Sequence, residues 1–337
     1  MSQSLFGLGI LVISGMLTAS FPVPIKLSRD WRWENTWLVY ATLALVAIPI
    51  LIGGLSVPHL WRVYSSVPLR GVLLPLVFGF CWGIAQLTFG LAIARVGMAM
   101  AFAIVIGLSA SLGSLIPLAV LHPQGLIGRP GLVLLLTVLI LAAGLILYGL
   151  AGRRRESESD AGENIGARFR TGLLLCVFTG CFGSMLNLGF AFGSDVSRAA
   201  MESGASATLS TFAVWALVLS AGYLPSLVYT GHLIRKNGSL PLFCKSPARE
   251  TLLALLAAVL WLFGMLGYGI GATIMGTYGT SIGFAGCQTV LLLWSSALGV
   301  MAGEWQAATP PTRRRMRASV ALIIVSMLVL GVGSLIR

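Results

Sequence analysis

The chain has 337 residues, of which 57% are hydrophobic and only 9% are charged, and its mean hydropathy is +0.93. A soluble domain carries roughly 25% charged residues, so this composition excludes an ordinary water-soluble globular protein. The formal net charge of +12 would favour nucleic-acid binding in a soluble protein, but here the basic residues lie in short polar segments between apolar runs. We therefore predict an all-α, polytopic membrane protein whose surroundings are a lipid bilayer, with no nucleic-acid partner.

Ten apolar runs reach the length of about 20 residues that a helix needs to cross a bilayer. The predicted spans, numbered one to ten, cover residues 5–25, 36–56, 71–94, 98–120, 131–151, 171–193, 207–230, 250–273, 280–302 and 317–336. Gly97 and Gly276 are expected to form the turns of the two shortest connectors. A polar segment, 152–170, divides the chain near its midpoint. The predicted organisation is a five-helix unit over 1–151, a cytoplasmic linker over 152–170 and a second five-helix unit over 171–337.

Lys and Arg residues are distributed unequally between the two sides of the predicted membrane. Alternate connectors place 17 of the 22 basic residues on one side. The other side holds Arg62, Arg70, Arg129, Arg198 and Arg337. Because cytoplasmic loops are enriched in Lys and Arg, we expect the basic side to face the cytoplasm and both termini to lie on the outer side.

An internal repeat relates the two halves. Features of spans three and four recur in spans eight and nine at a constant offset of 179 positions: Trp82, Phe89-Gly90, Gly97 and Gly107 match Trp261, Tyr268-Gly269, Gly276 and Gly286. Met16-Leu17-Thr18 in span one also matches Met185-Leu186-Asn187 in span six. Because five is an odd number of crossings, the second copy should enter the membrane from the opposite face. Such inverted repeats are typical of secondary transporters, with a substrate site near the midplane, although channels contain them too.

Polar side chains inside a bilayer are costly and usually face a cavity or a partner group. The candidates for substrate binding are Trp82, Gln86, Asn187, Trp261, Tyr268, Gln288, Trp294 and Lys26. Amide groups both donate and accept hydrogen bonds and aromatic faces can stack on a sugar ring, so this set favours a neutral sugar or polyol. The alternatives are packing or anchoring for each Trp, interhelical hydrogen bonds for the amides, and snorkelling of Lys26 to the interface.

The end of span one contains Pro22 and Pro24, each of which removes a backbone donor. We expect this end to be kinked or unwound, and broken helices at membrane depth usually line a cavity. Lys26 would then be able to project into the pathway.

Proton coupling needs a titratable group, but no acidic residue lies clearly at the centre of a predicted span. The available candidates are Lys26, Asp195 and Glu304. The sequence shows no metal-ligand spacing, no phosphate-binding loop and no Ser/His/Asp arrangement. We therefore expect no enzymatic activity, no metal and no cofactor.

The run Phe78-Gly79-Phe80-Cys81-Trp82-Gly83-Ile84-Ala85-Gln86, together with Pro24-Ile25-Lys26 and Trp31-Arg32-Trp33-Glu34, resembles the L-rhamnose/proton symporters of the drug/metabolite transporter superfamily. The resemblance implies ten helices in two inverted repeats and import of L-rhamnose or a related 6-deoxyhexose with a proton across the bacterial inner membrane. One segment departs from the family pattern, because span nine begins Gly279-Thr280-Ser281 where the family has an acidic residue among aromatics.

These observations predict a proton-coupled secondary transporter that imports a small neutral sugar, L-rhamnose or a related 6-deoxyhexose, by alternating access. The alternative within transport is a uniporter or exporter of another small metabolite. A membrane receptor that binds a ligand without moving it is the alternative outside transport.

Overall fold

The computed structural model describes residues 2–96, 98–159, 166–301, 303, 305–306 and 308–335. Apolar segments fold into helices because backbone polar groups must be satisfied internally in lipid. The α-helices are α1 (Ser2–Ser20), α2 (Pro22–Lys26), α3 (Trp33–Thr42), α4 (Ile48–Ser56), α5 (Leu60–Ser66), α6 (Leu69–Val96), α7 (Met98–Leu121), α8 (Pro123–Ile127), α9 (Arg129–Ser159), α10 (Gly166–Gly183), α11 (Met185–Ala191), α12 (Ser194–Glu202), α13 (Ala207–Asn237), α14 (Pro247–Met275), α15 (Gly279–Met301) and α16 (Pro310–Leu335). A π-helical turn, Leu43–Ala47, joins α3 to α4, and a 3-10 turn, Leu240–Cys244, precedes α14.

Within the described residues, nine helical segments are long and apolar enough to cross a membrane. They are Leu5–Lys26, Trp33–Ser56, Leu69–Ile93, Ile104–Leu121, Gly131–Gly152, Arg170–Glu202, Ala207–Asn237, Pro247–Met275 and Gly279–Met301. Each overlaps one of the first nine predicted spans, which confirms the all-α, multi-pass fold class. The tenth predicted span, 317–336, falls in α16, and its last residue lies outside the described part of the chain.

Spans one and six are both interrupted. In span one, α1 ends at Ser20, Phe21 forms a turn and α2 begins at Pro22, so the break lies where the two prolines were expected to cause it. Span six is divided at Ser184 and again at 192–193 into α10, α11 and α12. Gly276 ends α14 with φ +79°, which confirms the expected turn between spans eight and nine, whereas Gly97 lies outside the described residues.

Several helix pairs recur when each span is exchanged for the one five positions along the chain. α1 packs on α14 and α15, just as α10 packs on α6 and α7. α7 packs on α9, as α15 packs on α16. The pairs α7 with α15 and α9 with α16 each join one half of the chain to the other.

Small residues allow the closest of these contacts. A Cβ atom on Gly79 or Gly83 of α6 would overlap the main-chain carbonyl oxygens of Val218 and Gly222 on α13. Only glycine lets the two helices approach at this distance. The contact brings α6 and α13 together beside Trp82, in the largest group of buried apolar residues in the described chain.

Candidate functional site

Two tryptophans at matching positions of the predicted repeat stack on each other between the two halves of the chain. Trp82 on α6 and Trp261 on α14 have ring centroids 5.6 Å apart and planes inclined by 21°. Their exposed fractions are only 5% and 4%. Gly222 on α13 makes room for this pair, because a Cβ there would lie 2.7 Å from Cε3 of Trp82.

Asn187 on α11 is the polar centre of the buried interior. Its side-chain amide Nδ2 donates to the carbonyl oxygens of Gly113 at 2.6 Å and of Thr280 at 3.0 Å. The Tyr268 hydroxyl donates to Asn187 Oδ1 and lies 3.2 Å from the Thr280 carbonyl oxygen. These contacts tie α11 to α7, α14 and α15. Both amide hydrogens of Asn187 are therefore engaged by main-chain groups in this structure.

An aromatic group surrounds Tyr268. Trp215 on α13 stacks on Phe190 of α11 with centroids 4.7 Å apart and an angle of 6°. Phe190, Trp215 and Phe284 each meet the Tyr268 ring edge-on, with centroids 5.6, 6.1 and 5.7 Å away. The sequence analysis did not select these three as site residues. The sequence offered a signal for one of them: Phe190 follows the matching segment Met185-Leu186-Asn187 of the predicted repeat.

Three of the five buried side-chain atoms that lack a hydrogen-bond partner in the described residues lie on residues that adjoin this centre. In the described part of the chain they include Nε1 of Trp215 and the Oγ atoms of Ser114 and Ser281. Ser114 follows Gly113 and Ser281 follows Thr280, the two residues whose carbonyls bind Asn187. An unpaired buried polar group costs about 1–3 kcal/mol, so such groups are uncommon without a functional reason.

The remaining predicted binding residues on the spans lie at separate points. Gln86 on α6 and Gln288 on α15 are half-buried, and neither forms a hydrogen bond within the described residues. Gln86 lies one helical turn after Trp82 and shares its face of α6. Trp294 on α15 donates its Nε1 hydrogen to Ser20 Oγ at 2.9 Å, at the end of α1. The structure thus brings Trp82 to Trp261, and Asn187 to Tyr268, but ties Trp294 to span one.

The candidates for proton coupling are not buried where they are described. Lys26 is exposed at the end of α2. Asp195 at the start of α12 is exposed and lies 3.6 Å from Arg198. Glu304 lies outside the described residues.

Two carboxylates that the sequence analysis did not choose are buried. Glu250, with no exposed surface, accepts a hydrogen bond from Ser28 Oγ at 2.5 Å and one from Arg249 at 2.7 Å. Glu34, 5% exposed, accepts from Asn237 at 2.9 Å and from Ser239 Oγ at 3.0 Å. Each therefore joins the connector before α3 to the connector before α14.

Comparison with known proteins identifies the family. The family described as L-rhamnose-proton symport protein (RhaT) matches residues 1–335. An L-rhamnose-proton symporter of Pectobacterium atrosepticum is 24% identical over 335 residues, covering 95% of each chain. Proteins of the same name from Escherichia coli and Yersinia pestis are 24% identical over 331 residues and 22% identical over 338 residues, covering 96% and 97% of each chain.

The matches extend along nearly the whole chain, and they agree with the resemblance found in the segment around Trp82 and with the apolar helices of the structure. The chain belongs to the L-rhamnose-proton symport protein family.

Proposed function

We propose that this protein imports L-rhamnose or a closely related 6-deoxyhexose together with a proton, by alternating access across the bacterial inner membrane. The observation that carries the proposal is the family match over residues 1–335, supported by relatives named L-rhamnose-proton symporter along their full length. Inverted repeats with a midplane site are a common architecture of secondary transporters. The proposal places the cytoplasm on the side of the basic connectors.

The proposed architecture is ten membrane helices in two inverted units, 1–151 and 171–337, joined by a cytoplasmic linker. The exchange symmetry of the helix pairs supports it. So does the stacking of Trp82 on Trp261, because equivalent positions of two copies can touch each other only near the axis that relates them. That axis would pass between the two indole rings, at the interface where a transported solute has to cross.

The proposed sugar site lies between this tryptophan pair and the Asn187–Tyr268 centre. The indole faces would stack against the apolar face of the sugar. Gln86 and Gln288, which are without hydrogen bonds in the described chain, would bind hydroxyl groups, as would the unpaired Nε1 of Trp215. Asn187 and Tyr268 would hold α7, α11, α14 and α15 around the site and contact sugar only if they exchange their present partners.

Trp294 and Lys26 take outer positions in this proposal. Trp294 would fix α15 to the broken end of span one through Ser20. Lys26 would lie at the cytoplasmic edge of the pathway, beyond the proline-containing turn. The proposed proton-coupling residues are the three candidates Lys26, Asp195 and Glu304.

A uniporter of a small metabolite is the second candidate. The observation that favours it is the start of α15, where Gly279-Thr280-Ser281 carries no titratable side chain, while Asp195 is exposed. Sugar-dependent alkalinisation outside the vesicles would indicate symport. Uptake that follows only the sugar gradient would indicate uniport.

Uptake into proteoliposomes tests the proposal directly. Labelled L-rhamnose should accumulate when an inward proton gradient is imposed. L-mannose, which adds a hydroxyl at carbon six, should compete more weakly because the proposed stacking face prefers a methyl group there. Absence of L-rhamnose uptake or exchange by folded protein would exclude the proposed substrate.

A further inference from the structure

We propose that Glu250 and Glu34 are gate residues of the transport cycle. They hold together two segments, 27–36 and 237–250, which we call the polar latch. The latch closes the cytoplasmic mouth between the two halves and must open for substrate to leave. This inference rests on the proposed function, because a gate presupposes a transporter, but its test does not need a substrate.

The latch is a continuous network of contacts between the two halves of the chain. Glu250 binds Ser28 Oγ at 2.5 Å, and the neighbouring Arg249 donates to the Leu27 carbonyl oxygen at 2.9 Å. Glu34 receives its two hydrogen bonds from Asn237 and Ser239. Further side-chain donors reach main-chain oxygens of the opposite segment: Trp31 to Lys245 at 3.0 Å, Arg32 to Asn237 at 3.1 Å and Asn35 to Ser239 at 3.0 Å.

The equivalent position at the other end of the repeat is sealed differently. When each span is exchanged for the one five positions along the chain, the position of the polar latch corresponds to the contact between α5 and α12. Buried apolar side chains line that contact, including Leu60, Val63 and Val196. Its carboxylates, Asp195 and Glu202, are exposed. The buried carboxylates of the polar latch are therefore not dictated by the repeated fold.

Carboxylates suit a contact that has to open repeatedly. Burying an ionised group is costly unless hydrogen bonds replace its water, and here the replacing donors come mainly from the opposite segment. When the segments separate, water can take over the same bonds. At an apolar contact water cannot replace the lost interactions in this way, because opening the contact exposes apolar surface. Opening the polar latch therefore costs less free energy than opening an apolar contact of the same area, which keeps the form open to the cytoplasm accessible.

Charge places the polar latch on the cytoplasmic side. Segment 27–36 and its flank carry Lys26, Arg29 and Arg32, and segment 237–250 carries Lys245 and Arg249. By the positive-inside rule both belong to cytoplasmic connectors. The closed latch thus corresponds to a form sealed towards the cytoplasm.

Cysteine labelling tests the gate. Thr36 is buried within the polar latch, with its Oγ1 3.0 Å from Ser28 Oγ. In a Thr36→Cys protein that also carries Cys244→Ser, a membrane-impermeant maleimide should react slowly in inverted vesicles. Adding Glu250→Gln, which removes the charge but keeps the shape, should raise the labelling rate roughly tenfold. Glu34→Gln should act in the same direction, while Glu202→Gln, an exposed carboxylate on α12, should leave the rate unchanged.

The outcomes separate the gate from the substrate. If Glu250→Gln and Ser28→Ala both label at the parent rate in protein that is monodisperse by size exclusion, the gate is excluded. If Glu250→Gln does not fold, Ser28→Ala, which removes the hydroxyl that binds Glu250, decides alone. Faster labelling in a protein that shows no L-rhamnose uptake would support the gate and reject the proposed sugar.

Discussion

At the scale of single residues, two matching positions of the predicted repeat make different contacts. Thr18 and Asn187 occupy these positions, yet Thr18 donates to the Ser14 carbonyl of its own helix at 2.8 Å. Asn187 instead joins three other helices. A sugar has no two-fold symmetry, so a site on a pseudo-symmetry axis needs unequal side chains on its two sides. In the proposed site, the amide of Asn187 opposite the hydroxyl of Thr18 would provide that difference.

Trp215→Phe separates a structural role of Trp215 from a binding role. Phenylalanine keeps the ring that stacks on Phe190 and removes the unpaired Nε1 hydrogen. We expect thermal stability in detergent to be unchanged or higher, because an unpaired buried donor costs about 1–3 kcal/mol. Loss of one hydrogen bond to a sugar hydroxyl should weaken L-rhamnose binding about fivefold to tenfold. Isothermal titration calorimetry measures the affinity.

The control for this substitution is Trp37→Phe. Nε1 of Trp37 is also buried without a partner in the described chain, but Trp37 stacks on Trp33 in α3, beside the polar latch. Its substitution should leave the affinity for L-rhamnose unchanged, and stability unchanged or higher for the same reason as at Trp215. Equal affinities for the parent protein and Trp215→Phe would remove Trp215 from the sugar site.

At the scale of helices, apolar length alone predicted most of the fold. Nine predicted spans overlap helices that can cross a membrane, because each satisfies its backbone within itself regardless of its neighbours. The break at Phe21 was also predictable, since the prolines act locally. Apolar length does not predict which segments pack against a helix. Glu250 follows Arg249 at the start of α14 and reads as a solvated charge in the sequence, and only the approach of Ser28 buries it.

The same limit explains why the sequence analysis did not identify the aromatic group around Tyr268. Trp215 lies in an apolar run whose faces are indistinguishable by composition, so its stacking on Phe190 depends on how α11 and α13 approach. Asn187 and Tyr268 were identifiable because a polar atom within a span requires a partner. Sequence therefore indicated the two residues of the buried polar contact, Asn187 and Tyr268, and missed the aromatic side chains around them.

Gly79→Ala tests the close approach of α6 and α13. The added Cβ would overlap the Val218 carbonyl oxygen, which neither helix can relieve without moving its backbone. We expect a loss of about 1–3 kcal/mol in the free energy of unfolding, measured by denaturation in detergent, and weaker transport because Trp82 shifts with α6. Gly90→Ala on the same helix meets no atom within 4 Å and should be neutral or gain roughly 0.5–1 kcal/mol. Equal stabilities for the two variants would contradict this packing.

At the scale of the whole molecule, the pairing of helices explains how a broken and polar interior is held in lipid. The pairs α7 with α15 and α9 with α16 join the two halves along their length. In the proposed transport cycle, the polar latch closes one end of the path between the halves and the contact between α5 and α12 closes the other. Movement of one half against the other would open one of these contacts and preserve the other.

The proposed inversion of the two halves makes a prediction about two corresponding connectors. Span two is followed by a connector and by α5, which contains exposed Ser65, and span seven is followed by the connector that contains exposed Cys244. In an inverted repeat these connectors lie on opposite sides of the membrane. A Ser65→Cys protein that also carries Cys244→Ser should react with an impermeant maleimide in spheroplasts, because its connector lies on the side with few basic residues. Cys244 of the parent protein should react only in inverted vesicles. Labelling of both positions from one side would show that the two halves are inserted in the same orientation. That result would remove the axis between Trp82 and Trp261 on which the proposed site depends.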